Sequence, residues 1–303
     1  MSAKRIAILG STGQLGTELV DVLRQDDKFD VLALSHAEAD CANAKAVYDV
    51  LISAGPRIVV NCAASVRVDD CEDHPEDAFR VNAAGALNVA RACTALDALC
   101  VYISTDYVFD GAKATPYVEP DPAFPVNVYG VSKLAGECLV RQAAPRWLIV
   151  RTASLFGKTG ARGKGGNFVE TVIARAKAGE TLKVVNDVRM SPTYARDAAT
   201  GLAALLDLET TGIVHLTNDG ACSWYEFAQL ALKLMALSAP LIPISSGQYL
   251  NRARRPANSA LRSERFLVKL RPWQEGLKAY LIEKGHIAGR QGRRDAIDDR
   301  KNN

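Results

Sequence analysis

A glycine turn at the end of the first apolar run constrains this chain more than any other segment. Ile6 to Leu9 reads as a short buried strand and Thr17 to Leu23 carries a helical pattern. Gly10-Ser11-Thr12-Gly13-Gln14-Leu15-Gly16 joins the two. Glycines there let the backbone turn tightly and let the new helix pack close on its strand. A helix that starts at such a turn offers unpaired N–H groups and the positive end of its dipole, a seat for a phosphate. Three glycines at these offsets gain their meaning from the position, the first strand-to-helix junction of an alternating pattern.

That alternation continues to about residue 151. Strands are expected at 5–9, 29–34, 57–61, 99–104 and 147–151, with helices at 14–25, 43–54, 75–96 and 128–143. Asp73-His74-Pro75 supplies a helix start for the third of these. Strand–helix alternation predicts an α/β fold, a Rossmann-type doubly wound parallel sheet covered by helices on both faces. Beyond 151 the pattern loosens into helices at about 167–178 and 196–208, strands at 182–185 and 213–216, and apolar segments near 224–237, 240–243 and 272–284. This reads as a smaller C-terminal substrate-binding lobe. The expected division is 1–160 with 190–218 for the NAD(P)-binding domain and 161–189 with 219–286 for the lobe. A polar stretch without periodicity, 287–303, reads as a disordered tail.

The bulk numbers exclude several classes. A net charge of +3 without a basic block gives no footprint for nucleic acid. No apolar run approaches the ~20 residues of a membrane span, and the first strand begins too early to leave room for a signal peptide. The seven cysteines form no C-x-x-C and have no histidines at metal spacing. Reduced thiols in apolar runs fit a cytoplasmic protein.

Tyr129-Gly130-Val131-Ser132-Lys133 puts a phenol and an ammonium at i and i+4 on one helical face, just after the fourth strand. Reducing a carbonyl needs a hydride at carbon and a proton at oxygen. A phenol with a pKa near 10 is a poor acid–base group at neutral pH. A neighbouring ammonium and an oxidised nicotinamide ring both favour its phenolate, and Lys133 is also placed to hold the nicotinamide ribose. Strand four ends at Thr105, and ligands of such sheets bind beyond the carboxyl ends of the strands. A hydroxyl there would meet the substrate carbonyl oxygen.

These segments resemble the extended short-chain dehydrogenase/reductases and, within them, the dTDP-4-dehydrorhamnose reductase family. The likeness runs over roughly 5–285. Besides the glycine turn it rests on Asn61-Cys62-Ala63-Ala64, Val81-Asn82-Ala83-Ala84-Gly85, Ser104 through Gly111, Tyr129 through Glu137, Arg151-Thr152, Gly166-Asn167-Phe168-Val169, Ser191-Pro192-Thr193 and Arg255 through Ser259. Dehydratases of the wider group carry Asp-Glu after the threonine. Here Asp106 is followed by Tyr107. The resemblance implies NADPH- or NADH-dependent reduction of the 4-keto group of a nucleotide-linked 6-deoxyhexose. Thr105, Tyr129 and Lys133 match the catalytic residues. Gly10, Thr12, Gly13, Gln14, Leu15 and Gly16 match the cofactor turn, Asp40 and Cys41 the adenine flank, and Ala63 and Ala64 the ribose-phosphate. Val68, Asp106, Tyr107, Ser154, Asn167 and Arg255 fall on the substrate side.

Several positions depart from the family. Its Arg-Thr-Ser-Trp is Arg151-Thr152-Ala153-Ser154 here, Ser65 replaces a frequent tyrosine, and Asp187-Val188-Arg189-Met190 replaces Asp-Gln-x-Gly. Losing an aromatic removes a stacking platform, which allows a different keto-sugar nucleotide. Some members hold magnesium through glutamates at a dimer interface. Glu18 matches one of them, but Arg196 stands at another, so no metal is expected, and a homodimer remains an option. Leu34-Ser35-His36-Ala37 carries neither the acid of an NAD site nor an arginine, and Ser35 and His36 tilt the expectation to NADPH. A non-catalytic NADP-binding regulatory subunit of the same fold is the third alternative, and the intact Thr105–Tyr129–Lys133 set argues against it.

Arg254 and Arg255 are placed to neutralise a diphosphate or to sit in a solvated turn. Arg162 and Lys164 could do the same from a glycine-rich loop. Trp224 and Trp273 read as packing residues at helix starts, and His215, inside an apolar strand, as a structural histidine.

Overall fold

Alternate residues along the first strand divide two cores. The chain is described by a computed structural model over residues 3–159, 166–249, 252–265 and 267–288. Strand β1 (Lys4–Leu9) sends Ile6 and Ile8 to one face of the sheet and Ala7 and Leu9 to the other, the period-two alternation of a strand buried on both sides. Helix α1 (Gln14–Leu23) follows the glycine turn, then β2 (Phe29–Leu34), α2 (Ala44–Ala54) and β3 (Ile58–Asn61). Two short helices, α3 (Val68–Asp73) and α4 (Pro75–Phe79), lead through a π-helical stretch (Arg80–Ala84) into α5 (Gly85–Leu96). Next come β4 (Leu99–Thr105), α6 (Val128–Ala143), β5 (Trp147–Thr152) and β6 (Leu155–Phe156).

The remaining elements are α7 (Phe168–Lys177), β7 (Leu182–Val185), β8 (Arg189–Met190), β9 (Thr193–Tyr194), α8 (Ala195–Asp207), β10 (Gly212–His215), β11 (Cys222–Ser223), α9 (Trp224–Leu234), β12 (Leu241–Ile244) and α10 (Trp273–Glu283). Six strands form one parallel sheet in the order β10-β5-β4-β3-β1-β2. Helices α1 and α8 cover the face bearing Ile6 and Ile8, and α2, α5 and α6 cover the other. This is the expected doubly wound α/β architecture.

From β1 the chain passes outward to β2 and then back across to β3, so the strand order reverses between β1 and β3. Ligands of open α/β sheets sit at such a reversal, outside the carboxyl ends of the strands. A second set of cores, built by α7, α9, α10 and β7, lies apart from the sheet. Phe156 joins it, stacked on Tyr194 and edge-on to Tyr280.

The expected single helix over 75–96 is interrupted. Proline opens α4, and the π-helical stretch follows it. The wider turn brings the fully buried Asn82 inward, where its amide accepts from Ser65 N–H (2.8 Å) and donates to Ser132 Oγ (2.9 Å). Its carbonyl accepts the Tyr102 hydroxyl at 2.7 Å. Such bulges concentrate at functional sites. Ile287, expected to open the tail, packs against the α10 core. Arg162, Lys164 and the chain from Gly289 lie outside the described residues.

Candidate active site

The glycine turn is built by close backbone approach. Gly10 has φ +69°, and a Cβ there would lie 2.8 Å from the Ala63 nitrogen. Buried Asn61 holds that nitrogen in place, its Oδ1 accepting from Ala63 N–H at 3.1 Å. Gly16 faces backwards: its Cβ would stand 2.2 Å from the Gly10 carbonyl oxygen, so only glycine lets α1 pack on the turn. Gly13, the N-cap of α1, has no side chain to cap the helix, and the first turn holds no acid, which leaves its N–H groups open to an anion.

A cleft of about 750 Å³ opens above these strand ends. That volume suits bound small molecules. Its lining brings together Gly10, Thr12, Gly13, Gln14, Leu15, Asp40, Cys41, Ala63 and Ala64 with Thr105, Asp106, Tyr107, Tyr129, Lys133, Val68, Ser154 and Asn167. Two of the expected site residues are not in that lining. Gly16 lies behind the turn. Arg255 is diverted by Asp69, to which it donates at 3.2 Å, and its guanidinium lies 6.0 Å from the Tyr107 ring centroid. Arg254 is exposed.

A dinucleotide fits this lining on two counts. The glycine turn offers a cradle that a Cβ would fill, and Gln14 Nε2 is a buried donor with no hydrogen-bond partner among the described residues. Arg80, which spacing alone did not single out, also lines the cleft with His36 and Asp40. It reaches the cleft through the π-helical stretch, a feature with no plain signature in sequence. His36 is well exposed and stands 3.7 Å from Asp40.

At the other end, Thr105 terminates β4 and caps the short turn that follows, accepting from Tyr107 N–H at 3.2 Å and donating to Asp106 at 3.0 Å. Tyr129 enters from the first turn of α6, which Asn127 caps by accepting from Gly130 N–H at 2.8 Å. Tyr129 shares the cleft lining with Thr105, whose hydroxyl donates to Asp106. Burial pushes the Tyr129 phenol well above the ordinary tyrosine range, the nearby Thr105 hydroxyl opposes this, and the Asp106 charge adds to it. Lys133 is buried, and its ammonium donates to the Ile103 carbonyl at 2.6 Å and lies 4.0 Å from the Tyr102 ring centroid. Burial brings it down to about 7, against the pull of Glu137. Glu137 continues the stripe of Tyr129 and Lys133 one turn further. It is held by Arg151 at 2.7 and 2.9 Å and by Ser104 Oγ at 2.5 Å.

Asn167 lines the cleft but its side chain is committed elsewhere. It caps α7 through Glu170 N–H (3.0 Å) and donates to the Gly157 carbonyl and the Tyr280 hydroxyl. Ser154 holds a left-handed φ of +42° at the cleft wall. Trp273 is packed in the lobe, whereas Trp224, read as a packing residue, also borders the cleft. His215 is buried, with Nδ1 3.2 Å from the Tyr117 and Arg262 carbonyls. Arg196 reaches buried Glu18 at 3.4 Å, placing a guanidinium beside the carboxylate that sequence likeness associates with magnesium.

Comparison with known proteins agrees with this arrangement. Residues 4–285 match the RmlD substrate binding domain family. The spore coat polysaccharide biosynthesis protein SpsK of Bacillus subtilis is 37% identical over 284 residues, covering 92% of this chain and 98% of that protein. The dTDP-4-dehydrorhamnose reductase of Burkholderia thailandensis is 38% identical over 291 residues, covering 89% and 95%. The crystal structure of dTDP-4-dehydrorhamnose reductase from Bacillus anthracis in complex with NADP superposes with a TM-score of 0.87 at 34% identity, covering 93% of this chain and 99% of that one. With the family model matched over residues 4–285 and these relatives covered along nearly their whole length, this chain belongs to the RmlD substrate binding domain family.

Proposed function

We propose that this protein is an NAD(P)H-dependent reductase of the 4-keto group of a nucleotide-linked 6-deoxyhexose, of the dTDP-4-dehydrorhamnose type. The observation that carries the reading is that Thr105, Tyr129 and Lys133 line the same cleft as the glycine turn. When bound, the reduced nicotinamide supplies a hydride to the carbonyl carbon. Gly10, Thr12, Gly13, Gln14 and Leu15 would hold the pyrophosphate, and Asp40, Cys41, Ala63 and Ala64 the adenosine half.

The chain's own residues then handle the proton. Burial keeps the Tyr129 phenol protonated, the state a donor to the carbonyl oxygen requires. Thr105 shares the same oxygen and fixes the direction of transfer. As Tyr129 gives up its proton, Lys133, one turn further along the same helical face, is placed to stabilise the phenolate. Val68, Asp106, Tyr107 and Ser154 would border the sugar. Arg80 beside Asp40 and His36 favours the 2′-phosphate of NADPH, since a guanidinium matches phosphate oxygens.

A reductase of a different keto-sugar nucleotide is the second reading, favoured by the small Ala153 and Ser154 at the cleft wall. A homodimer in a cytoplasmic setting belongs to the same proposal, and light scattering tests the assembly. Among the described residues no helix is long and apolar enough to cross a membrane. The functional test is NADPH oxidation with a panel of dTDP- and UDP-linked 4-keto-6-deoxyhexoses and identification of the product sugar. Turnover of one of them supports the reading. Absence of turnover across the panel by dinucleotide-saturated protein contradicts it.

A further inference from the structure

Among the described residues four Phe, Tyr and Trp side chains line the cleft, and none is adjacent in sequence to residues 10–15, Asp40, Ala63 or Arg80, the positions assigned to the dinucleotide. Tyr107 and Tyr129 meet edge to face, ring centroids 5.9 Å apart, at the reacting end. Phe168 and Trp224 form a second pair, at 4.8 Å and 63°, and both come from the lobe. Trp224 opens α9, whose start is fixed by a reciprocal capping box. Ser223 Oγ accepts from Glu226 N–H at 3.0 Å, and the Glu226 carboxylate accepts from Ser223 N–H at 2.7 Å. Phe168 is backed in turn by Phe227, stacked at 5.9 Å and 13°. Trp224 is thus a positioned ring with one part packed on the lobe core and another part at the cleft, unlike the buried Trp273.

A nucleotide-linked sugar whose keto group sits against Tyr129 must extend its diphosphate and nucleoside away from the dinucleotide. Of the cleft lining, Phe168 and Trp224 are the aromatic residues assigned neither to the dinucleotide nor to the reacting sugar. A nucleobase presents a flat π-face, and aromatic side chains are the usual partners of such a face. We infer that Trp224, braced by Phe168, is the stacking surface for the nucleobase of the substrate's nucleoside diphosphate. This inference rests on the proposed reductase function and makes Trp224 a specificity-determining residue of it.

The chain has three tryptophans. Trp147 lies beside Arg141, outside the cleft lining, and Trp273 is buried. Titrating dTDP into the full-length, NADP-saturated protein should therefore quench fluorescence through Trp224, and Trp224→Phe should abolish the quench. By calorimetry, dTDP affinity should fall about tenfold or more in Trp224→Ala and stay within a few-fold in Trp224→Phe, the scale of base–aromatic stacking. NADP affinity should be unchanged in both variants. Wild-type dTDP affinity in a Trp224→Ala protein that still binds NADP overturns the inference, as does a rise only in the KM of the sugar nucleotide, which would place Trp224 against the sugar. If Trp224→Ala does not fold, a quench that persists in Trp224→Phe overturns it equally. A wild type that reduces a keto-sugar nucleotide without Trp224-dependent dTDP binding leaves the reductase reading standing. Neither turnover nor dTDP binding removes both.

Discussion

Lys133 stands one helical turn beyond Tyr129, yet its ammonium donates to the Ile103 carbonyl at 2.6 Å and has no hydrogen bond to the phenol among the described residues. The lysine is anchored to the end of strand β4. Burial governs both groups, raising the phenol and lowering the ammonium to about 7. One helical face therefore carries a protonated acid and a cation that is close to losing its charge.

The buried ammonium sets a pH dependence of stability. From pH 7 to 10.5 the unfolded chain keeps a proton on Lys133 that the folded chain has released, so this residue makes stability rise with pH across that window. Below pH 7 both states carry the proton and the burial cost is full. Lys133→Met should be more stable than wild type at pH 7, by on the order of a few kcal/mol, with the gap closing towards pH 10. Urea unfolding of the dinucleotide-free proteins at several pH values measures this. A gap that stays constant with pH would show that Lys133 is not held in a depressed state.

Substitution at Gly16 separates packing from binding. Its added methyl would meet the Gly10 carbonyl at 2.2 Å, against 3.2 Å for the same change at Gly13. Gly16→Ala should cost about 1–3 kcal/mol of stability through overpacking and distort the turn enough to weaken NADPH binding strongly. Gly13→Ala should be milder on both counts. Thermal melts and dinucleotide titrations decide, and equal effects at the two positions would contradict the geometry.

The Arg151–Glu137 pair lies almost entirely out of water, its side chains 4% and 2% exposed. Removing one partner leaves the other charge buried without compensation. Glu137→Leu should therefore lose about 3–5 kcal/mol, whereas the double variant Glu137→Leu with Arg151→Met should recover much of that loss. Urea midpoints of the two proteins are the readout. Additive losses would mean that the pair is not energetically coupled.

Arg80 tests the cofactor preference. It borders the cleft beside His36 and Asp40, on a surface-exposed side chain that also donates to Asp77 at 2.8 Å. Arg80→Ala should weaken NADPH binding by about fivefold, the scale of one exposed charge-assisted contact, and leave NADH binding unchanged. An equal effect on both dinucleotides would place Arg80 away from the 2′-phosphate.

Much of the scaffold was legible because its signals are local. Phe29–Leu34, Leu182–Val185 and Val128–Ala143 end where the sequence places them, since turn residues or a capping asparagine bound their periodic runs. Helix α3 had no such stripe, burying only Cys71. The interruption over Arg80–Ala84 answers to Asn82's distant partners Ser65 and Ser132. In the site, spacing alone brought the glycine turn, Thr105, Tyr129 and Lys133 to one cleft. Asn167, expected on the substrate side, instead caps α7, a role that asparagine before a helical run favours. Arg255's diversion to Asp69 and the arrival of Trp224 at the cleft depend on contacts between segments far apart in sequence, which no local pattern encodes.

The most direct measurement is NADPH oxidation with dTDP-4-dehydrorhamnose by wild type and Tyr129→Phe, each with its NADPH dissociation constant determined in parallel. Loss of the proton donor should lower turnover by about 10²–10⁴-fold while NADPH binding stays within a few-fold. Full activity in Tyr129→Phe would contradict the proposed proton transfer outright.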